Sequence, residues 1–340
     1  MAGDGRCRAI PPRPLSILSV PSRRRLNYLA GVDEAGLGPI LGPLVVGGVA
    51  MAGPPGVDPW TALSDRVSRD SARRGKVRVA DSKKVHQGQA KLENLERTVL
   101  TFWGALHGGL PPNLAAFLDS LSADTVTLRE CPWYGDLDLP LPLAANADEV
   151  EQAAHNLARA LEREGLTSQQ IVALVSDARQ WNESIARTDN KSHTHFDAYM
   201  QVMATLLDVL PDGAHVVADR CGGLQHYVPG LRRALPGVGV RILDGAVGQS
   251  RYEISRDDRS HRLTFAAQGE DRAFPTALAS CFAKYARETL VHLLNRWFCG
   301  RVPGLKPTAG YYTDGRRFLR DIAAVLRKRE FPRSLLVRCR

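Results

Sequence analysis

Long apolar runs are missing from this chain. No stretch approaches the ~20 consecutive apolar residues that a membrane-crossing helix needs, so no membrane partner is expected. Paired cysteines are missing too. The six, at 7, 131, 221, 281, 299 and 339, form no CxxC and no metal-ligand spacing, and they read as reduced thiols of a cytoplasmic protein. There is no internal repeat, and no heptad pattern or other signal of self-association, so a monomer is the default. The opening MAGDGRCRAIPPRPLSILSVPSRRRL offers only LSILSV as an apolar core, too short for a signal peptide. Its arginines and prolines mark residues 1–27 as a disordered basic arm.

What is present is a basic chain of 340 residues, with 45 Lys and Arg against 36 Asp and Glu. A net charge of +9 favours a polyanionic partner. The charge is unevenly spread. Residues 301–340 carry eleven basic and three acidic side chains, whereas 104–151 carry one basic and eight acidic.

Periodicity sets out an α/β chain. YLAGVDEAG and PLVVGGVAMAG read as two strands joined by a Gly-Pro loop. AKLENLERTVLTFW has helical spacing, DEVEQAAHNLARALEREG is a helix stopped by Gly165, and QIVALVS is a strand. WNESIARTDNKSHTHFDAYMQVMATLLDVL is expected to be helical over its second half. HVVAD and VRILDG read as strands, EISRDDRSHRLTFAAQ as one more, and residues 276–298 as the longest helix. Residues 104 to about 150, rich in Gly, Pro and acids, read as a surface insertion or lid, and 331–340 as a basic tail. One mixed sheet flanked by helices is the expected architecture.

Four acids stand where surface acids seldom do: Asp33 and Glu34 at the end of an apolar strand, Asp219 at the end of HVVAD, and Glu288 inside the long helix. Carboxylates that share a buried pocket repel one another unless cations join them. Hard divalent ions take oxygen ligands, and two of them about 4 Å apart can hydrolyse a phosphodiester. Each acid alone has an ordinary reading: Asp219 as a turn former, Glu288 as a solvated partner of Lys284. The glycines at 36, 38 and 42 suit either a tight turn or a backbone that lets a ligand come close. This is not a P-loop, because the Lys-Ser/Thr ending is missing. His193 and His195 lack a third ligand at suitable spacing and receive no role.

AGVDEAGLGPILGPLVVGGVAM resembles the opening motif of the type 2 ribonucleases H, ribonuclease HII and its relative ribonuclease HIII. ADSKKV, HVVADR, ALASCFAKYARE and TAGYYTDGRRF follow in that family's order. The resemblance implies a ribonuclease H-like fold over residues 28–330, with 104–165 inserted. It also implies metal-dependent cleavage of RNA in RNA/DNA hybrids, or at ribonucleotides embedded in DNA. In this reading Asp33, Glu34, Asp219 and Glu288 hold two magnesium or manganese ions. Gly36, Leu37 and Gly38 meet the ribose 2′-OH, the group that separates RNA from DNA. Ser82, Lys83 and Lys84 hold phosphates, Tyr311 packs on a sugar, and Lys284 lies one helical turn before Glu288. Leu37 stands where the family usually has Arg, and Glu288 where type 2 enzymes usually have Asp, which marks a divergent branch. A catalytically weakened protein that only binds RNA/DNA hybrids or structured nucleic acid is the alternative expectation.

Overall fold

A computed structural model describes residues 26–70, 75–224, 226–244, 248–256, 258–328 and 330–339. Most of the expected amino-terminal arm, residues 1–25, lies outside them. The apolar runs on either side of the Gly-Pro loop form β1 (Asn27–Ala35) and β2 (Leu44–Gly53), an antiparallel pair. A small parallel pair follows, β3 (Val67–Ser68) and β4 (Val77–Arg78). Then come β5 (Thr167–Ser176), β6 (His215–Asp219), β7 (Gly239–Leu243), β8 (Gln249–Arg256) and β9 (Arg259–Ala266). Seven of these make one mixed sheet in the order β5-β2-β1-β6-β9-β8-β7. β1 runs parallel to β6, and β6 to β9, while the remaining neighbours are antiparallel. The mixed α/β architecture is the one expected.

Alternation along the central strands sends side chains into two cores. On one face lie the helices Lys91–His107 and Phe274–Cys299, the latter the long helix expected at 276–298. On the other lies the helix Lys191–Val209. Helix Ala147–Glu164 ends at Gly165, which adopts the left-handed conformation its sequence position implied.

Four expectations are corrected. Residues 104 to about 150 are no surface lid: Phe117, Leu118, Trp133, Tyr134 and Leu137 are buried in the same core as the long helix. Buried Glu96 staples this segment, accepting the N–H groups of Leu143, Ala144 and Ala145 at 2.6, 2.6 and 2.8 Å and the Tyr285 hydroxyl at 2.9 Å. The segment's apolar residues are numerous but spaced irregularly among Gly, Pro and acids, which hides a core contribution from any periodic reading. The first half of the WNESIARTDNKSHTHFDAYMQVMATLLDVL stretch is largely helical as well, because Asp177 and Gln180 form a capping box that starts the helix Ala178–Thr188. The EISRDDRSHRLTFAAQ stretch is a hairpin of two strands, β8 and β9. The supposed tail, described to residue 339, packs back onto the body, with Val337 bridging Leu41 and Arg338 buried.

Parallel neighbours end side by side. The last β1–β6 pair is Val32 with Ala218, and Asp33 and Asp219 are the next residues of the two strands. The long helix lies hard against β1: a Cβ on Gly31 would stand 2.0 Å from the Thr276 nitrogen and 2.4 Å from the Pro275 carbonyl carbon. Thr276 also donates its hydroxyl to the Val217 carbonyl at 2.8 Å, which ties the helix to β6. Gly31→Ala should therefore cost about 3 kcal/mol, measured as a lower urea midpoint at unchanged slope. A loss under about 0.5 kcal/mol, the scale of ordinary surface substitutions, would show that the helix can step back without cost.

Candidate active site

The carboxyl ends of β1 and β6 gather acids. Asp33 is 8% exposed, and its Oδ1 accepts the Glu34 N–H at 2.7 Å. Burial, followed by the charges of Glu34, Asp219 and Glu270, pushes its carboxyl well above the usual range. Asp219 accepts the Gly269 N–H at 3.0 Å and is also raised, chiefly by burial. Glu270 stands on the short helix Gly269–Arg272 that follows β9. Burial raises its carboxyl, with Asp219, Asp81 and Asp271 adding to the effect, and its Oε2 is buried without a hydrogen-bond partner.

Glu34 points the other way along β1, as alternation requires. Its Oε2 accepts the Tyr199 hydroxyl and lies 3.7 Å from His195 Nε2. Burial alone would raise it, but His195, Tyr199 and Lys83 outweigh burial and hold it below the ordinary value. Its charge still reaches both Asp33 and Asp219. Lys83 supplies the answering positive charge from Ser82–Val85: burial pulls its ammonium down, but Asp81, Asp33, Glu270 and Glu34 together raise it.

Glu288 does not sit with these acids. It accepts Lys284 Nζ at 2.8 Å and Arg287 Nη1 at 2.9 Å, with His86 Nε2 at 3.9 Å. Although burial would raise it, Lys284 and Arg287 hold it low, and burial pushes His86 down to about 4. The cause is the course of the helix along β1, with Thr276 against Gly31 and Arg287 against Gly36. Twelve residues of helix carry the chain about 18 Å, past Asp33 to the glycine loop. Glu270, rather than Glu288, is the further acid whose charge raises Asp33, and Asp219 in turn raises Glu270. In sequence Glu270 hides in QGED; its signal was an acid shortly past a strand, close to the placement of Asp219 at the end of HVVAD. His195 was missed as well, although it shares a helix face with Tyr199, four residues on.

The glycine loop is built from outside. Gly36 has φ +95°, and a Cβ there would lie 2.5 Å from both Arg287 Nε and the Pro43 oxygen. Ile40 and Leu41 donate their N–H groups to the Gly310 carbonyl at 2.8 and 3.2 Å. Asp314, accepting from Thr308 Oγ1 at 2.6 Å and the Ala309 N–H at 2.9 Å, shapes the turn that presents Tyr311. The exposed Tyr311 ring lies 3.9 Å from the Cβ position of Gly38. Ser82 is buried, and its N–H donates to Ser280 Oγ at 3.1 Å. Lys84 is bound to both Asp271 oxygens at 2.9 and 3.1 Å, and Lys284 to Glu288, so neither is a free charge beside the acids. A cavity of about 380 Å³ lined by Trp60, Arg69, Arg78, Lys84 and Glu270 opens next to them.

Among the described residues no three His, Cys, Asp or Glu donors stand close enough to enclose a metal ion as the side chains lie. The donor chemistry nevertheless fits a hard divalent cation. The converging groups offer carboxylate oxygens, one of them buried and unpartnered, and Asp33 is driven toward protonation by burial and then by the neighbouring acids. A dication relieves that repulsion.

No family model and no curated protein matches the chain. Among solved structures it is similar to ribonuclease HII of Archaeoglobus fulgidus in a PCNA complex, at 16% identity and TM-score 0.41, covering 92% of this chain and 94% of that one. It is similar to ribonuclease H2 of Pyrococcus horikoshii at 13% identity and TM-score 0.39, over 91% and 92% of the two chains. A Bst ribonuclease HIII in complex with Mn2+ matches at 14% identity and TM-score 0.40, over 92% of this chain and 66% of that one.

The raised Asp33 predicts an unusual pH dependence. Its folded value lies above its unfolded one, so its ionisation subtracts stability as pH rises through the folded value, and the cost is absent below the unfolded value. In EDTA at pH 7, Asp33→Asn should melt roughly 2–4 °C above the parent. The difference should vanish below about pH 4, and magnesium should raise the melting point of the parent more than that of the variant. Calorimetry showing Asp33→Asn less stable at pH 7 would mean that the ionised carboxylate is not disfavoured in the folded protein, by burial or by its neighbours.

Proposed function

We propose that this chain is a metal-dependent endoribonuclease that hydrolyses the RNA strand of RNA/DNA hybrids, leaving 5′-phosphate and 3′-hydroxyl ends. The crowding of Asp33, Glu34, Asp219 and Glu270 around the ends of two parallel strands carries the reading. A protein that only bound hybrids would gain nothing from an unpartnered buried carboxylate oxygen. Magnesium or manganese, when bound, supplies the Lewis acidity and the acidified water that hydrolysis needs.

The chain's own residues do the remaining work. Asp33, Asp219 and Glu270 offer ligand oxygens, and Glu34 is kept ionised by His195, Tyr199 and Lys83. Lys83, at the mouth of the acid cluster, is suited to hold the phosphate next to the scissile bond, with Ser82 and Lys84 lining the approach. Gly36, Leu37 and Gly38 present backbone to the ribose, and Tyr311 is free to pack on the adjoining sugar. Glu288 and Lys284 act on this site through Arg287, which they help to hold against Gly36.

Labelled hybrid, duplex DNA, and duplex DNA containing one ribonucleotide, each with magnesium or manganese, test the reading. The hybrid should be cut and the duplex DNA left intact, and the third substrate shows whether an embedded ribonucleotide suffices. Asp219→Asn and Glu270→Gln should each reduce cleavage about a thousandfold while hybrid binding persists, and Glu288→Gln should retain far more activity than either. Undiminished cleavage by Asp219→Asn would remove the mechanism. Activity lost in Glu288→Gln but kept in Glu270→Gln would reverse the assignment of the fourth acid.

A further inference from the structure

Read as a basic tail, the carboxyl-terminal residues instead reach into the glycine loop. Arg338 is 3% exposed. Its Nη1 donates to the Gly36 carbonyl and its Nη2 to the Leu37 carbonyl at 3.4 Å. Its guanidinium carbon lies 4.1 Å from the centroid of the Trp181 ring. The Arg338 N–H also donates to the Ile40 carbonyl at 2.9 Å. Asn182 clamps the same segment: its Nδ2 donates to the Ser334 and Val337 carbonyls, each at 2.9 Å, and its Oδ1 accepts the Cys339 N–H at 2.7 Å.

In a trans peptide the C=O and the N–H point in opposite directions. Drawing the carbonyls of Gly36 and Leu37 inward therefore turns the N–H groups of Leu37 and Gly38 outward. Neither N–H has a hydrogen-bond partner among the described residues. Gly38 is exposed, with the Tyr311 ring beside it. Two consecutive outward amides form a small concavity of donors suited to an oxygen ligand. Only a planar fork can span two successive carbonyls at once, and stacking on Trp181 keeps that fork from turning.

We infer that Arg338 is a positioning residue for ribose recognition, orienting the Leu37 and Gly38 amides so that they donate to the 2′-hydroxyl of the RNA strand. The inference rests on the hybrid-cleaving function proposed above and adds to it the device that sets sugar selectivity. Because Arg338 contacts the loop from behind, it leaves the phosphate contacts of the duplex untouched.

The test compares dissociation constants for an RNA/DNA hybrid and for duplex DNA of the same sequence, with magnesium present and in an Asp219→Asn background so that nothing is cut. Arg338→Met should weaken hybrid binding about tenfold, the scale of one or two lost hydrogen bonds, with duplex DNA affinity changed less than about twofold. Arg338→Lys, a point charge able to serve one carbonyl, should fall between Met and the parent. Asn182→Ala, which loosens the segment but keeps the arginine, should shift selectivity in the same direction; it decides the matter if Arg338→Met fails to fold. A selectivity unchanged in these variants, or hybrid and duplex affinities falling together, overturns the inference and leaves Arg338 a structural residue. A parent protein without any preference for hybrid overturns the functional reading first and this inference with it.

Discussion

Like charges set the terms of this molecule. Asp33 and Asp219 follow the last parallel pair of β1 and β6, and Glu270 arrives on the short helix after β9. Each is lifted above its ordinary ionisation by burial and by the other acids. The protein relieves the crowding only in part, through the N–H groups of Glu34 and Gly269 and the ammonium of Lys83. Glu34, turned to the opposite side of its strand, is given Tyr199 and His195 and stays ionised. The remainder of the repulsion is what a bound dication would relieve in the function proposed above.

Keeping that cluster in place falls to the contact between the long helix and β1. Backbone meets backbone at Gly31 and Thr276, so the helix cannot slide without leaving the sheet. The same helix brings Arg287 to Gly36, where Glu288 holds its guanidinium on one side and the Ala309 carbonyl accepts from it at 3.0 Å on the other. Arg338 grips the other side of the loop from the end of the chain. The glycine loop carries little side chain of its own, and its conformation is imposed by two buried arginines and the Gly310 carbonyl.

Local signals were legible wherever chemistry and periodicity coincide. Apolar runs on either side of a Gly-Pro loop marked β1 and β2, the short β-branched run HVVAD marked β6, and the 3.6-residue spacing marked the helices Lys91–His107 and Phe274–Cys299. Asp33, Glu34 and Asp219 were legible because an acid that ends an apolar strand is rare enough to notice. Residues 104 to about 150 were misread because their apolar side chains follow neither period, and their burial depends on Glu96 stapling three backbone amides from far along the chain. Glu270 was passed over because an acid beside glycine in a turn is commonplace, and its meaning comes from the strand lying next to its own.

Sequence by itself determined the central strands, the longest helices, the order of the motifs and three of the four crowded acids, since each depends on residue types a few positions apart. Only the tertiary structure decided which acids share one field, that Glu288 is answered by Lys284 and Arg287, and that the chain's last residues brace its first loop. Those outcomes depend on the parallel pairing of β1 with β6 and on how far a rigid helix carries a side chain. Both are distances in space between residues remote in sequence, and no local pattern encodes them.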